Sequence, residues 1–265
     1  MQNSNPSQIQ SQPLKVLTYN IQVGIETQAY HHYLTRGWRH FLPCASRQKN
    51  LSRLGLLLRQ YDLVALQETD GGSLRSNHIN QVEYLAAAAG FPFWWSKINR
   101  PMGKFAQHSL GLLARHRPSE VLELDLPGSV PGRGVILARF GSGEQSLCVV
   151  AAHLSLGNRS RQRQLSFLRE LIRDEEHVVL MGDMNCSSDE LLQDSPLRET
   201  SLRASAGKHA SYPSWRPRRS LDHILTSSAL NAKHTHVLNH RMSDHLPLAA
   251  EISVPGNIVL QSMPA

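Results

Sequence analysis

Two apolar stretches decide the fold class: residues 147–154 read LCVVAAHL, and residues 177–183 read HVVLMGD. Both are short enough for a strand and rich in valine. Because neither alternates with polar residues, each fits a strand that is buried on both faces, which requires outer layers to cover the sheet. Similar short runs predict further strands at residues 14–21, 63–66, 110–114, 121–126, 135–140, 222–226, 236–238 and 246–252.

Three other segments have the apolar spacing of helices. They are residues 47–61, 80–89 and 159–173. Many strands with a few long helices between them predict two packed sheets with helices outside. Residues 26–46 fit neither pattern and are rich in His, Tyr, Trp and Arg, so we expect a long loop near the functional site.

The length and composition indicate one globular domain. The chain has 265 residues, of which 40% are hydrophobic and 18% charged. We expect residues 1–13 to be a disordered lead-in, residues 14–255 a single domain and residues 256–265 a C-terminal tail. No apolar run approaches the roughly 20 residues of a membrane helix, and the N-terminus lacks the features of a secretion signal. We therefore expect no transmembrane segment. We also expect the protein to be a monomer.

Cysteine usage and net charge give weaker indications. Cys44, Cys148 and Cys186 are odd in number and have no CxxC spacing, which argues against a disulfide framework and a zinc site and favours the cytoplasm. The formal charge of +7 suits a polyanionic substrate such as nucleic acid or an anionic lipid headgroup. The same charge is equally compatible with simple solubility.

Polar residues capable of catalysis follow the predicted strands at the point where each strand ends. They are Asn20, Glu68, His153, Asp183, Asn185, Asp222, Asp244 and His245. Groups at strand ends are held by a rigid scaffold and remain open to substrate. The sequence therefore predicts one site built from many strand ends.

These residue types suit the hydrolysis of a phosphate ester. Glu68 and Asp244 offer the carboxylate oxygens that Mg²⁺ or Mn²⁺ prefers. Asp183 can orient or deprotonate the attacking water, and His245 can donate hydrogen bonds to phosphoryl oxygens or assist the leaving group. We interpret these four residues as the chemical centre.

The other polar residues fit supporting roles. Asn20 and Asn185 can hold metal, water or phosphate without adding negative charge, and Asp222 can fix the tautomer of a histidine from behind. Taken singly, the SDH and GDMN segments also fit ordinary turns, because Gly, Asp and Asn are turn formers. Their co-occurrence in one order along the chain favours the catalytic interpretation.

The ordered set resembles the signature of the endonuclease/exonuclease/phosphatase superfamily, which includes DNase I and neutral sphingomyelinases. Its parts here are Asn20, Gln67-Glu68, His153-Leu154, Gly182-Asp183-Met184-Asn185, Leu221-Asp222 and Ser243-Asp244-His245-Leu246-Pro247. The resemblance implies an α/β fold, a four-layer α/β sandwich with two packed mixed β-sheets flanked by helices. It also implies a metal-dependent phosphoric ester hydrolase with its site at one end of the sheets.

The resemblance further implies a role for each motif residue. Glu68 would be the principal metal ligand, assisted by Asn20 and Asp244. Asp183 would be the base, with Asn185 beside it. His153 and His245 would flank the scissile phosphate, and Asp222 would support a histidine.

At several motif positions the chain differs from particular subfamilies, and these differences narrow the choice of subfamily. AP endonucleases usually carry Asp where this chain has Gln22 and Tyr where it has His153, so the chain is closer to DNase I and the sphingomyelinases. The WxGDxNYR and CDRIL patterns of inositol polyphosphate 5-phosphatases are not followed. Ser211 stands where the family usually has Thr. The remaining class is a small cytoplasmic member of unassigned substrate.

Three residues are candidates for substrate binding: Arg133, Trp215 and Arg216. They could stack bases and neutralise phosphates, whereas Trp94 and Trp95 fit the core better. Three functions remain open at this point. They are a nuclease, a phosphodiesterase or phosphatase acting on lipid headgroups or small molecules, and a catalytically inactive binding module.

Overall fold

Two mixed β-sheets form the centre of the computed structural model, which describes residues 11–25, 45–128, 132–143 and 145–262. The strands are β1 (Gln12–Asn20), β2 (Leu63–Asp70), β3 (Phe93–Met102), β4 (Ala106–Ala114), β5 (His116–Arg117), β6 (Glu120–Asp125), β7 (Gly134–Ser142), β8 (Gln145–His153), β9 (His177–Asp183), β10 (Arg203–Ala204), β11 (Asp222–Thr226), β12 (Asn231–Val237), β13 (Leu248–Val254) and β14 (Gln261–Ser262). The helices are α1 (Ala45–Leu58), α2 (Gln81–Ala89), α3 (Asn158–Leu171) and α4 (Ser188–Leu192), with short 3-10 turns at Gln22–Gly24, Leu74–Ser76 and Pro196–Glu199.

Each sheet contains one parallel pair of strands. The first sheet has the order β12-β13-β1-β2-β4-β3, with β1 and β2 parallel; the second has the order β10-β11-β9-β8-β7-β6, with β8 and β9 parallel. In register, Asn20 lies opposite Gln67, and His153 lies opposite Asp183. Because parallel strands end at the same edge of a sheet, the polar strand ends of each pair meet.

The two sheets pack face to face over one apolar core. Val16 and Leu112 of the first sheet belong to the same buried cluster as Ile136 and Val149 of the second. Alternation along the strands sends the neighbouring side chains to the outer faces. Each outer face therefore needs a covering layer.

Helices supply these outer layers. Leu54 of α1 and Leu85 of α2 pack on the first sheet, and Leu165 and Leu168 of α3 pack on the second. Helix, sheet, sheet and helix therefore form four layers. The predicted fold class is confirmed.

The three predicted helices are present with ends displaced by at most three residues. In α2, the Asn80 side chain accepts the backbone N–H of Val82 at 3.0 Å, and Gly90, at φ 74°, ends the helix. Of the predicted loop at residues 26–46, positions 26–44 lie outside the described residues. The last two positions begin α1.

Other elements differ from the predictions. Strand β3 and helix α4 were not predicted, and strand β12 begins five residues before the predicted start at 236. Trp95 of β3 packs against the core as expected, whereas Trp94 is 36% exposed. Within the described ranges, no helix is long and apolar enough to span a bilayer.

The ends of the domain also need correction. Strand β1 begins at Gln12, inside the predicted lead-in at residues 1–13, because its first residues pair with the end of β13. The predicted tail at residues 256–265 is part of the fold as far as Ser262. Ile258 is buried in the core between the sheets, and β14 pairs with β5.

Candidate active site

Five strands bring their polar ends to one place. Asn20, Glu68, His153 and Asp183 lie at or near the ends of β1, β2, β8 and β9, while Asp222 begins β11 directly opposite Asp183. All except Glu68 are buried. The packed sheets thus gather on one edge the residues that the sequence spreads over more than 200 positions.

A β-bulge aims Glu68 away from the regular strand. The pairing of β2 with β4 gains one residue between Leu66 and Thr69, and Glu68 has φ 53°, which costs a non-glycine residue roughly 1–2 kcal/mol. Behind it, the buried Gln67 side chain donates to Thr18 Oγ1 at 3.1 Å and ties β2 to β1. Strain of this kind is found where a side chain is positioned for function.

Asp183 is the centre of the hydrogen-bond network. Its Oδ2 accepts from Asn20 Nδ2 at 3.0 Å, and its Oδ1 accepts from the backbone N–H of Asn185 at 3.0 Å. Two imidazole nitrogens lie close to the same Oδ2, His153 Nε2 at 3.5 Å and His245 Nε2 at 3.8 Å. Burial raises the pKa of Asp183 to about 7, against the opposing effect of His245.

Gly182 allows the close approach of strands on which Asp183 depends. A Cβ atom at this position would lie 1.9 Å from the Ala152 carbonyl oxygen, and the φ angle is 151°. Asn185, two residues after Asp183, has φ 54°, which asparagine tolerates, and its Nδ2 donates to the Leu154 carbonyl at 2.9 Å. The GDMN segment is therefore the tight junction of two strands as well as the source of a catalytic candidate.

His245 and Asp222 form a buried pair. His245 Nδ1 lies 2.7 Å from Asp222 Oδ2, and Ser211 Oγ donates to the same oxygen at 2.5 Å. Burial alone would lower the pKa of His245, but the Asp222 and Asp183 carboxylates raise it well above its ordinary value. His245 is thus held as a cation whose Nε2 faces Asp183.

His153 has the opposite environment. Its Nδ1 lies 3.0 Å from a guanidinium nitrogen of Arg133. Because guanidinium can only donate, Nδ1 must accept, and a neutral ring then carries its proton on Nε2. Burial and the Arg133 charge lower the pKa of His153 well below its ordinary value. His153 is therefore a neutral donor whose Nε2 lies 4.0 Å from Glu68 Oε1 and near Asp183.

Glu68 and Asp244 are the residues that fit a hard cation. Burial raises the pKa of Glu68, and the negative charge of the half-buried Asp244 raises it further. A divalent cation between such carboxylates would offset this repulsion with the oxygen ligands that Mg²⁺ and Mn²⁺ prefer. One potential metal-ligand atom from each of Asp183, Asp222 and His245 also lies within 4.8 Å of the other two. In this second cluster, however, Asp222 Oδ2 and His245 Nδ1 are already joined by a hydrogen bond.

Comparison with known proteins identifies the group to which this arrangement belongs. The model of the endonuclease/exonuclease/phosphatase family matches residues 17–245. The chain belongs to the endonuclease/exonuclease/phosphatase family. No curated protein sequence matches it.

Solved structures share the fold at low sequence identity. An endonuclease/exonuclease/phosphatase from Beutenbergia cavernae superposes with a TM-score of 0.68 at 19% identity, covering 91% of this chain and 72% of that one. A family protein from Bacteroides vulgatus gives 0.68 at 17%, covering 92% and 99%. The mannosyl-6-phosphatase of Bacteroides thetaiotaomicron gives 0.65 at 16%, covering 90% and 99%. At such identities the likeness shows the fold alone.

The substrate-binding candidates of this family member fall in different places. Arg133 lies in the site against His153. Trp215 is half-buried and follows Ser214, whose backbone N–H donates to the Asp244 carbonyl at 2.7 Å. Arg216 is exposed, and among the described residues no hydrogen bond joins its side chain to the carboxylate and histidine cluster. Its predicted role in substrate binding remains a prediction.

A cleft of about 460 Å³ opens beside Glu68 and His153. Its wall includes Arg100 of β3 and His108 of β4, which no sequence motif marks. Arg100 could have been found only by predicting strand β3. In the sheet, β3 lies two strands from β2, which carries Glu68. The cleft of this chain therefore extends beyond the motif residues.

Proposed function

We propose that the protein is a divalent-metal-dependent phosphoesterase that hydrolyses a phosphodiester or phosphomonoester by attack of an activated water. The observation that carries this proposal is the position of Asp183, buried between Asn20 and the two histidines. A carboxylate with a pKa near 7 can accept a proton from water at neutral pH. Its surroundings provide donors for the oxygens of a phosphoryl group.

The metal would be Mg²⁺ or Mn²⁺, held by Glu68 and Asp244 with Asn20 nearby. When bound, it supplies positive charge that stabilises the phosphoryl oxygens and lowers the pKa of bound water. The bulge at Glu68 supports this assignment, since it holds a partly exposed carboxylate at the site despite its backbone strain.

The chain's own residues would divide the proton chemistry among them. Asp183 takes the proton of the attacking water, and Asn20 and the Asn185 N–H hold its two oxygens in place. His245, charged because of Asp222, donates from Nε2 to the phosphoryl group or the leaving oxygen. His153 donates from Nε2 without carrying charge, because Arg133 occupies its Nδ1.

The test is a substrate panel measured with Mg²⁺, Mn²⁺ or EDTA. It includes an oligonucleotide, sphingomyelin in detergent and small phosphate esters. We expect activity on at least one ester that is lost in EDTA and restored by Mg²⁺ or Mn²⁺. Full activity in EDTA would contradict the metal-dependent mechanism.

Matched variants make the test specific to the metal site. Glu68→Gln should lower the rate and weaken Mg²⁺ binding while the fold persists, because only a carboxylate charge is lost. The exposed Glu123 of β6 provides the control, and Glu123→Gln should retain the native rate. Equal rates in the two variants would exclude Glu68 as a metal ligand.

We further propose that the protein acts as a cytoplasmic monomer whose domain spans the whole described chain. Cys148 and Cys186 are buried thiols, and burial raises the pKa of each to about 12. Such thiols are inert and need no oxidising compartment.

A further inference from the structure

The cleft beside the metal-binding candidates extends from the first sheet's centre to its edge. Strand β4 lies between β2, which carries Glu68, and the edge strand β3, which carries Arg100. Since neighbouring strands are about 4.8 Å apart, the Arg100 backbone is about 10 Å from that of β2. The cleft can therefore hold a part of the substrate that lies outside the reach of Asp183 and His245.

Two arginines line this cleft from different directions. Arg133 enters from the segment before β7, and Arg100 enters from β3 across Gly132. A Cβ atom at Gly132 would lie 2.9 Å from Arg100 Cβ and 3.0 Å from Arg100 Cδ, so the glycine lets the arginine lie against this segment. The arrangement brings two guanidinium groups towards one space.

The described residues that line the cleft carry more positive than negative charge. Among the described residues that line it, Glu68 is the one carboxylate, and the proposed metal would neutralise this charge. Burial lowers the pKa of Arg133, the Glu68 and Asp183 carboxylates oppose this effect, and the charge of Arg100 lowers the pKa further. Burial and the charges of Arg75, Arg100 and Arg133 lower the pKa of His108 to about 4 against the opposing charge of Asp70, so its ring is neutral at pH 7. Like charges held together in this way would be stabilised by a bound anion.

The remaining lining indicates the kind of molecule that carries this anion. The wall contains small polar groups such as Asn99, Ser109 and Ser160, and no Phe, Tyr or Trp is among the lining residues within the described ranges of the chain. A nucleobase usually stacks on an aromatic ring, whereas a sugar or polyol needs hydrogen-bonding groups. The volume of about 460 Å³ is in the range of small-molecule sites.

We propose that the cleft binds a second phosphate of the substrate, carried on a small sugar or polyol, apart from the phosphate that is hydrolysed. Arg100 is the residue that recognises it, and Arg133 lies between the two phosphates. This inference rests on the proposed phosphoesterase function and names its substrate class, a bisphosphorylated small molecule.

Binding measurements test the proposal without relying on turnover. Fructose 1,6-bisphosphate and fructose 6-phosphate are titrated calorimetrically into the Asp183→Asn variant with Mg²⁺. A charge-assisted contact with the second phosphate should make the bisphosphate bind at least about tenfold more tightly. When Arg100→Gln is combined with Asp183→Asn, the difference in affinity between the bisphosphate and the monophosphate should disappear. Arg100→Lys in the same variant should restore part of this difference in affinity.

Controls separate the subsite from general electrostatics. Arg117 is an exposed arginine of β5 at the opposite end of the sandwich, so Arg117→Gln should keep the full difference. Adenosine 3′,5′-bisphosphate is titrated in the same way to test for a nucleotide ligand. If it binds more tightly than the fructose bisphosphate, the proposal that a sugar or polyol carries the second phosphate is overturned. Equal affinities for the two fructose phosphates, or a native difference in Arg100→Gln, would overturn the subsite. Failure of the wild-type protein to hydrolyse any ester would refute the phosphoesterase function while leaving these affinities interpretable.

Discussion

Replacement of Asp222 by Asn tests the protonation of His245. Asp222 is 1% exposed, and its Oδ2 accepts from His245 Nδ1 at 2.7 Å and from Ser211 Oγ at 2.5 Å. Asp222→Asn keeps the shape and an acceptor oxygen but removes the negative charge. Burial, which lowers the pKa of His245, is then opposed by one carboxylate fewer.

The size of the effect follows from this hydrogen bond. A bond to a charged partner stabilises a protein by about 1.5–3 kcal/mol and a neutral one by about 1 kcal/mol, so the variant should lose about 1–2 kcal/mol of imidazolium stabilisation. At 1.36 kcal/mol per pKa unit, the pKa of His245 should fall by about one unit. Since the pKa falls, the cationic form is lost at a lower pH than in the native protein. The alkaline limb of kcat should shift down by the same amount, so that kcat on this limb falls by up to about tenfold.

The assay combines NMR titration of the histidine side chains in EDTA with kcat–pH profiles in Mg²⁺. Asp62→Asn is the matched control, because the Asp62 side chain accepts the Lys15 N–H at 2.8 Å far from the strand ends that form the site. It should leave both measurements unchanged. If the pKa of His245 in Asp222→Asn equals the native value, the electrostatic account of this pair is refuted.

Three further predictions concern the base, the undescribed segment and a buried ion pair. Asp183→Asn should lower kcat by several orders of magnitude with little change in KM, and adding His245→Ala should cost little more, because groups that act as a unit are non-additive; near-native kcat in the single variant would argue against the base. Residues 31–40 lie outside the described residues, and from the sequence we expect their deletion to change KM or substrate preference more than Tm, so a collapse of Tm would contradict the prediction. Asp70→Ala should destabilise the fold by roughly 3–5 kcal/mol in urea unfolding at pH 7, because it removes the carboxylate partner of the buried Arg75. Burial would raise the pKa of Asp70, but hydrogen bonds from Ser73 and Arg75 lower it to about 2, so this stabilisation should be complete above about pH 4 and should fade as the pH falls towards 2.

Apolar runs made the strand ends readable from the sequence. Strands such as β8 and β9 are buried on both faces, so their ends are marked by the first polar residue, which is His153 in one and Asp183 in the other. Edge strand β3 has no such contrast. Its Trp94 and Ile98 are 36% and 45% exposed, and it contains Pro101, so its composition does not indicate a strand that would bring Arg100 to the site.

The sequence pattern also could not predict the local backbone geometry of the site. The extra residue in β2 that turns Glu68 outward depends on how β2 pairs with β4, which residue types alone do not determine. The contact of Arg133 with His153 depends in the same way on the pairing of β7 with β8, where Val135 lies opposite Ala152. Contacts across strands require the register, and the register was not available before the fold.

The two histidines show why residue type alone underdetermines a mechanism. The family resemblance implied that His153 and His245 both flank the scissile phosphate, without a difference in their protonation. In the fold, Nδ1 of His153 faces the cation of Arg133, whereas Nδ1 of His245 faces the anion of Asp222. Opposite partners shift the two pKa values in opposite directions, so that one ring donates while neutral and the other donates while charged. Pairs of titratable groups whose surroundings separate their pKa values are typical of acid–base catalysis, and here the separation arises from strand pairing rather than from the two motifs themselves.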